Sequence, residues 1–187
     1  MTTTMTQNET ATWNLDAGHT SVEFAVKHMM ITTVKGRFAG LSGALTLNEK
    51  NRDQSSVAAE FAAASIDTRN EQRDQHLKSA DFFDVEQFPT LTFVSRRVEG
   101  LTMKPGSTFR LIGDLTMRDK TREVALDATF EGQGKDPWGG ERVSFSASGI
   151  VDRRDFGLTW NAALETGGVL VAHEVKIQIE AQAVRAV

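Results

Sequence analysis

Residues 109–130, FRLIGDLTMRDKTREVALDATF, read as the two strands of one hairpin. Phe109, Leu111, Leu115 and Met117 share one parity and alternate with Arg110, Asp114 and Thr116. After Arg118-Asp119-Lys120 the apolar parity resumes with Val124, Leu126, Ala128 and Phe130. Successive strand residues point to opposite faces, so this period of two describes strands with one dry face and one wet face. Towards the C-terminus the pattern repeats at Val143, Phe145, Ala147 and Val151. It is cleanest at Val175, Ile177, Ile179, Ala181 and Ala183, which oppose Glu174, Lys176, Gln178, Glu180 and Gln182. Between these segments GQGKDPWGG reads as a long loop, and Lys104-Pro105-Gly106 as a tight reversal.

Towards the N-terminus, Leu91 and Phe93 begin a strand, and Val57, Ala59, Phe61 and Ala63 form another inward face. From Val34 to Leu47 the apolar parity changes across Gly36, Gly40 and Gly43, as at a bulge or sharp bend. Val22, Phe24 and Val26 mark a half-buried strand ending near His28, after a short one at Trp13 and Leu15. About eight or nine strands joined by short turns imply an all-β antiparallel fold. A closed up-and-down barrel is the preferred reading; alternation alone also permits a sandwich.

One stretch departs from this pattern. From about Thr68 to Asp84 charged residues crowd around His76, and Pro89 then returns the chain to extended geometry. We read it as a short helical insertion over 68–84, with Asp67 or Thr68 as N-cap and Glu71 completing a capping box.

Composition excludes several functions. A net charge of −4, from 21 basic and 25 acidic residues without a basic run, gives no footprint for nucleic acid. No cysteine is present, so disulfides and thiolate chemistry are ruled out. No apolar run is long enough for a membrane-spanning helix. Residues 1–11 are expected to form a disordered tail before a single domain over 12–187. The tail lacks the features of a signal peptide, which makes the cytoplasm the expected compartment.

Short motifs carry little chemistry. Asp155-Phe156-Gly157 stands without the rest of a kinase signature, and Gly132-Gln133-Gly134-Lys135 lacks phosphate-loop spacing. No serine sits in a nucleophile elbow. Asp74, His76 and Asp81 lie two and five residues apart, which is wrong for ligands on one helix face, and an ion network with Arg69 and Arg73 is the simpler reading. A distributed metal or hydrolytic site joining His19, His28 and His76 to Asp67 or Asp74 is one alternative function. A filled-barrel stress-response module is another.

Longer motifs run in order along the chain: Asp16-Ala-Gly-His-Thr-Ser-Val-Glu-Phe24, Val34-Lys-Gly-Arg-Phe38, Ser65-Ile-Asp-Thr68, Arg73-Asp-Gln-His-Leu77, Asp81-Phe-Phe83, Phe88-Pro-Thr-Leu-Thr-Phe93, Gly113-Asp-Leu-Thr-Met117, Arg154-Asp-Phe-Gly157 and Val175-Lys-Ile177. Over about residues 12 to 184 this order resembles the YceI-like family. The resemblance implies a lipocalin-like barrel that binds a polyisoprenoid lipid or isoprenoid quinone as ligand, with no required cofactor and no catalytic residues, and that forms a homodimer in at least some members. Many members carry a periplasmic signal peptide, and this chain departs from them there. If the dry faces point inward, the chain of such a ligand would lie against Phe24, Val26, Phe38, Phe61, Phe93, Phe109, Leu111, Phe130, Phe145 and Ile177. Arg73, His76 and Arg154 are the candidates for an anionic head group.

Overall fold

The computed structural model describes residues 9–187. Residues 1–8 of the expected tail lie outside the described residues. Thr10 and Ala11, assigned to the tail above, instead open the first strand, where Ala11 is buried.

The strands are β1 (Thr10–Leu15), β2 (Ser21–His28), β3 (Thr32–Phe38), β4 (Ser42–Asn48), β5 (Ser56–Ala62), β6 (Thr90–Glu99), β7 (Thr108–Met117), β8 (Lys120–Lys135), β9 (Glu141–Asp152) and β10 (Val171–Arg185). From β4 to β10 each strand pairs antiparallel with the next, and β1 bonds to both β4 and β10, closing an eight-stranded barrel. Closure removes the unpaired edges that an open sheet of this size would expose. The expected closed barrel is thus present, with two extra strands.

Those two strands form the β2–β3 hairpin, and β10 carries it. Near its C-terminus β10 pairs with β1, as Leu15↔Ala183 and Trp13↔Arg185. Over the rest of its length it pairs with β2, from Ser21↔Glu180 to His28↔Val171. The parity change between Val34 and Leu47 is therefore a change of neighbours. The chain leaves β3 after Phe38 and, through Gly40 at φ +63°, continues into β4, which pairs with β1 as β3 pairs with β2.

Two other boundaries move. β8 runs on to Lys135, so the glycines of GQGK are strand residues and the loop shrinks to a tight turn. In that turn Asp136 Oδ1 accepts from the Trp138 and Gly140 amides. The helix α1 spans Glu71–Lys78, shorter than 68–84, and its N-cap is Asn70, whose side chain accepts from the Arg73 amide at 2.9 Å. Asp67 cannot cap it because its own amide and carbonyl bridge to Arg37 of β3, both at 3.0 Å. Arg69 at φ +60° then interrupts any helix begun at Thr68. The Thr68 hydroxyl is engaged by Asp74 and Arg73.

The core gathers at two levels. One cluster fills the end where β1 meets the last residues of β10, with Trp13, Leu45, Leu47, Val98, Phe130, Val143 and Ala183. The other lies beneath the α1 segment, with Phe82, Phe93, Leu115, Leu126, Val151, Phe156 and Leu158.

Candidate functional site

Between the two clusters the inward side chains do not meet across the barrel. Phe24, Val26, Phe38, Phe61, Phe109, Leu111, Phe145 and Ile177 point in from six strands yet are only half-buried, because they face a cavity. Its volume is about 260 Å³, within about 1870 Å³ of space between the wall atoms that includes the opening. Its lining is overwhelmingly apolar, which suits the hydrocarbon part of an amphiphile rather than a polar solute. Its walls run from Leu45 and Leu47 at one end to Leu77, Phe82 and Phe83 beside α1 at the other.

Nine of the ten expected lining residues are on this wall: the eight just named and Phe93. Phe130 is not among them. It has the right parity, but it stands in the filled end, 0% exposed, with its ring 5.4 Å from that of Phe145. At the other end an aromatic ladder links the hairpin to the cap, Phe24 to Phe38 at 5.7 Å and Phe38 to Phe83 at 5.5 Å. Aromatic contacts of this kind add to area burial and hold the cap in register with the wall.

None of the three expected head-group residues lines the bore. Arg73 donates to the hydroxyl and carbonyl of Thr68. Arg154 is gripped by both carboxylate oxygens of Asp152. His76 bonds Asp81 at 2.8 Å and packs edge-on against Phe82 and Trp160. The cation on the wall is Arg153, buried at 6% exposure. The strand pattern contained the signal for it: Val143, Phe145, Ala147 and Val151 point inward, and two residues further on so does 153, leaving 154 outside.

The proposed histidine constellation does not assemble. His19 precedes β2 and His28 ends it, which separates them by more than ~20 Å at strand rise. Asp67 pairs with Arg37, and Asp74 accepts from Thr68. Among the described residues no three His, Cys, Asp or Glu side chains are grouped as metal ligands, and no helix is long and apolar enough to cross a membrane.

At the end away from α1 the barrel is tied by charge. Arg142 bonds Asp16 at 2.7 Å, Asp136 at 2.8 Å and Gln182 at 2.7 Å, joining the turn after β1, the β8–β9 turn and β10. The Arg142 guanidinium, helped by His19, holds the Asp16 carboxyl down to about 2. Arg154 does the same to Asp152, also to about 2. A carboxyl whose pKa is lower in the folded than in the unfolded chain stabilises the fold above its unfolded value, and loses that contribution as pH falls through its folded value. Thermal melts should therefore drop between about pH 4 and pH 2. In Arg142→Gln the Asp16 part of that slope should shrink, His19 and the Gly18 amide holding the remainder; an unchanged profile would mean that Arg142 does not hold Asp16 in solution.

The YceI-like domain pattern matches residues 13–183. The chain belongs to the YceI-like family. A UPF0312 protein of Staphylococcus aureus is 36% identical to this YceI-like chain over 171 residues, 91% of this chain and 95% of that one. Among solved structures, Burkholderia cenocepacia BcnA superposes with a TM-score of 0.77 at 22% identity, covering 90% of this chain and 99% of that one. A polyisoprenoid binding domain from Saccharophagus degradans superposes with a TM-score of 0.66 at 14% identity, covering 93% and 98%. At those identities the two structures share the fold, and a shared fold does not by itself carry function.

Proposed function

We propose that this YceI-like barrel binds one long amphiphilic isoprenoid lipid, a polyprenyl chain or isoprenoid quinone, in its bore, and that it sequesters or carries that lipid in water without chemically changing it. The observation that carries the reading is the apolar, Phe-walled cavity between the two core clusters. The fold shared with a polyisoprenoid binding domain is in keeping with it.

Burying each five-carbon unit is worth about 4 kcal/mol gross as an upper limit. Affinities saturate far below the sum over a long tail, so the lipid should stay bound through purification. Selectivity for chain length should be weak, because a hydrophobic pocket discriminates one methylene by only about 1–3 kcal/mol. The expected result is a prenyl lipid, near one per chain, in a solvent extract of freshly purified protein examined by mass spectrometry. Native mass spectrometry of the intact complex should give the same stoichiometry and, on the family resemblance, a homodimer. Protein empty in both measurements would refute the reading and favour a filled-barrel role.

A further inference from the structure

Hairpin turns favour small polar residues, yet the β2–β3 turn holds Met29, Met30 and Ile31 at 41%, 59% and 74% exposure, and none of the three lines the bore. Among the described residues this is the one place where large exposed apolar side chains are consecutive. The Ile31 amide donates to the His28 carbonyl at 3.2 Å, with Met29 at φ +51° and Met30 at φ +62°. Both central residues are left-handed, a reversal that suits Asn-Gly and strains two methionines. Small residues would serve the fold better, so the apolar tip answers to something outside the chain.

The charge around the tip narrows the choice. From Phe24 to Asn48 there is no Asp or Glu, whereas Lys27, Lys35 and Arg37 lie on the hairpin. Asp67 holds Arg37. Lys27 is exposed two residues before Met29, and exposed Lys35 is level with exposed Lys176 across Ala25 on the outward face. Glu174 of β10 is the acidic residue on the neighbouring row. In a chain of net charge −4 this hairpin is locally basic. Three side chains cover far less than the roughly 800 Å² per partner of a stable protein interface. They suit a lipid layer, which takes up hydrocarbon while its anionic head groups meet the lysines.

The tip is also tied to the bore wall. Val26 and Val171 line the cavity, His28 pairs with Val171, and the Met29 amide donates to the Leu170 carbonyl at 2.8 Å. The Val171 carbonyl accepts from Asn161 at 2.7 Å, next to Trp160, whose ring meets His76 of α1 at 4.7 Å. The turn therefore stands at the α1 end of the barrel.

We propose that Met29, Met30 and Ile31 dip into the apolar layer of a membrane whose anionic head groups face Lys27, Lys35 and Lys176. Docking of this kind presents the α1 end of the bore to the bilayer. It is a surface property that is read whatever the bore holds, so its failure would leave the lipid-binding reading to the extraction measurement above.

The test floats full-length protein with phosphatidylcholine vesicles and with vesicles in which about a third of the lipid is phosphatidylglycerol. Wild type should bind the anionic vesicles about fivefold or more tightly than the neutral ones, and less tightly as salt is raised. Met29→Asn/Met30→Gly/Ile31→Ser should weaken that binding about tenfold or more while melting no lower than wild type, because Asn-Gly fits the turn. Ile31→Ser alone should weaken it in the same direction. Lys27→Gln/Lys35→Gln/Lys176→Gln should bind the two kinds of vesicle within about twofold of each other. Wild type that stays off anionic vesicles would overturn the proposal, and so would a folded tip variant that binds them as wild type does. Self-association of wild type that the tip variants lose, without vesicle binding, would assign the turn to a second copy of the chain and equally overturn it.

Discussion

Phe61→Arg should purify as a folded protein from which no prenyl chain can be extracted. Phe61 stands on β5 opposite Leu91, half-buried, with its ring in the bore. Arginine there would place a further charge against apolar walls, or would occupy the bore with its own stem. Either outcome costs several kcal/mol relative to a bound hydrocarbon, which corresponds to more than about a hundredfold in affinity. Ala147→Phe separates occupancy from charge. Ala147 lines the same cavity between Ala128 and Ile179, and a ring at that position fills the bore without introducing charge. Both variants should melt within a few degrees of wild type and lack lipid. A folded Phe61→Arg that still carries stoichiometric lipid would mean that the chain does not lie along this wall.

Gly43→Ala should be the most damaging single methyl addition to the fold. In β4, Gly43 faces Ala59 with φ +156°, and a Cβ built there would stand 2.3 Å from the Ala58 carbonyl oxygen and 2.8 Å from the Ala59 Cα. These are backbone atoms of the neighbouring strand, so relief requires the β4–β5 pairing to shift. Gly36 makes a useful contrast. A Cβ there would meet the Phe24 ring at 2.3 Å, and a ring can rotate away. We expect Gly43→Ala to cost roughly 2–3 kcal/mol, a fall in melting temperature of about 5–10 °C, and Gly36→Ala to cost less. Equal melting temperatures for Gly43→Ala and wild type would show that the two strands are not so close.

The parity of residues was enough to place most of the wall. Each strand keeps one face dry whatever its partners, so Phe24, Phe109, Phe145 and Ile177 could be oriented from sequence. Depth along the bore could not be read in this way. Phe130 has the parity of Leu126 and Ala128, yet its fate depends on register against Phe145 and Val143, and on packing with strands distant in the chain. Cations near the helical insertion look equally available in the sequence, and local bonding decides among them. Asp152 claims Arg154 and Thr68 claims Arg73, whereas Arg153, just past the end of β9, remains on the wall. The helix starts later than the capping residues at 67 and 68 imply for a related reason, since the Asp67 bridge to Arg37 joins residues thirty apart and leaves no trace in the local pattern.

The order of strands also sets when this container comes to exist. β10 follows the other nine strands and bonds three of them, β9, β2 and β1. A chain emerging from the ribosome one residue after another holds β1 to β9 as an incomplete, phenylalanine-faced sheet until β10 appears. Before that moment no inside is separate from an outside, and β1, β2 and β9 each present a bare edge. The face that becomes the bore lies open to other chains during synthesis until β10 closes it.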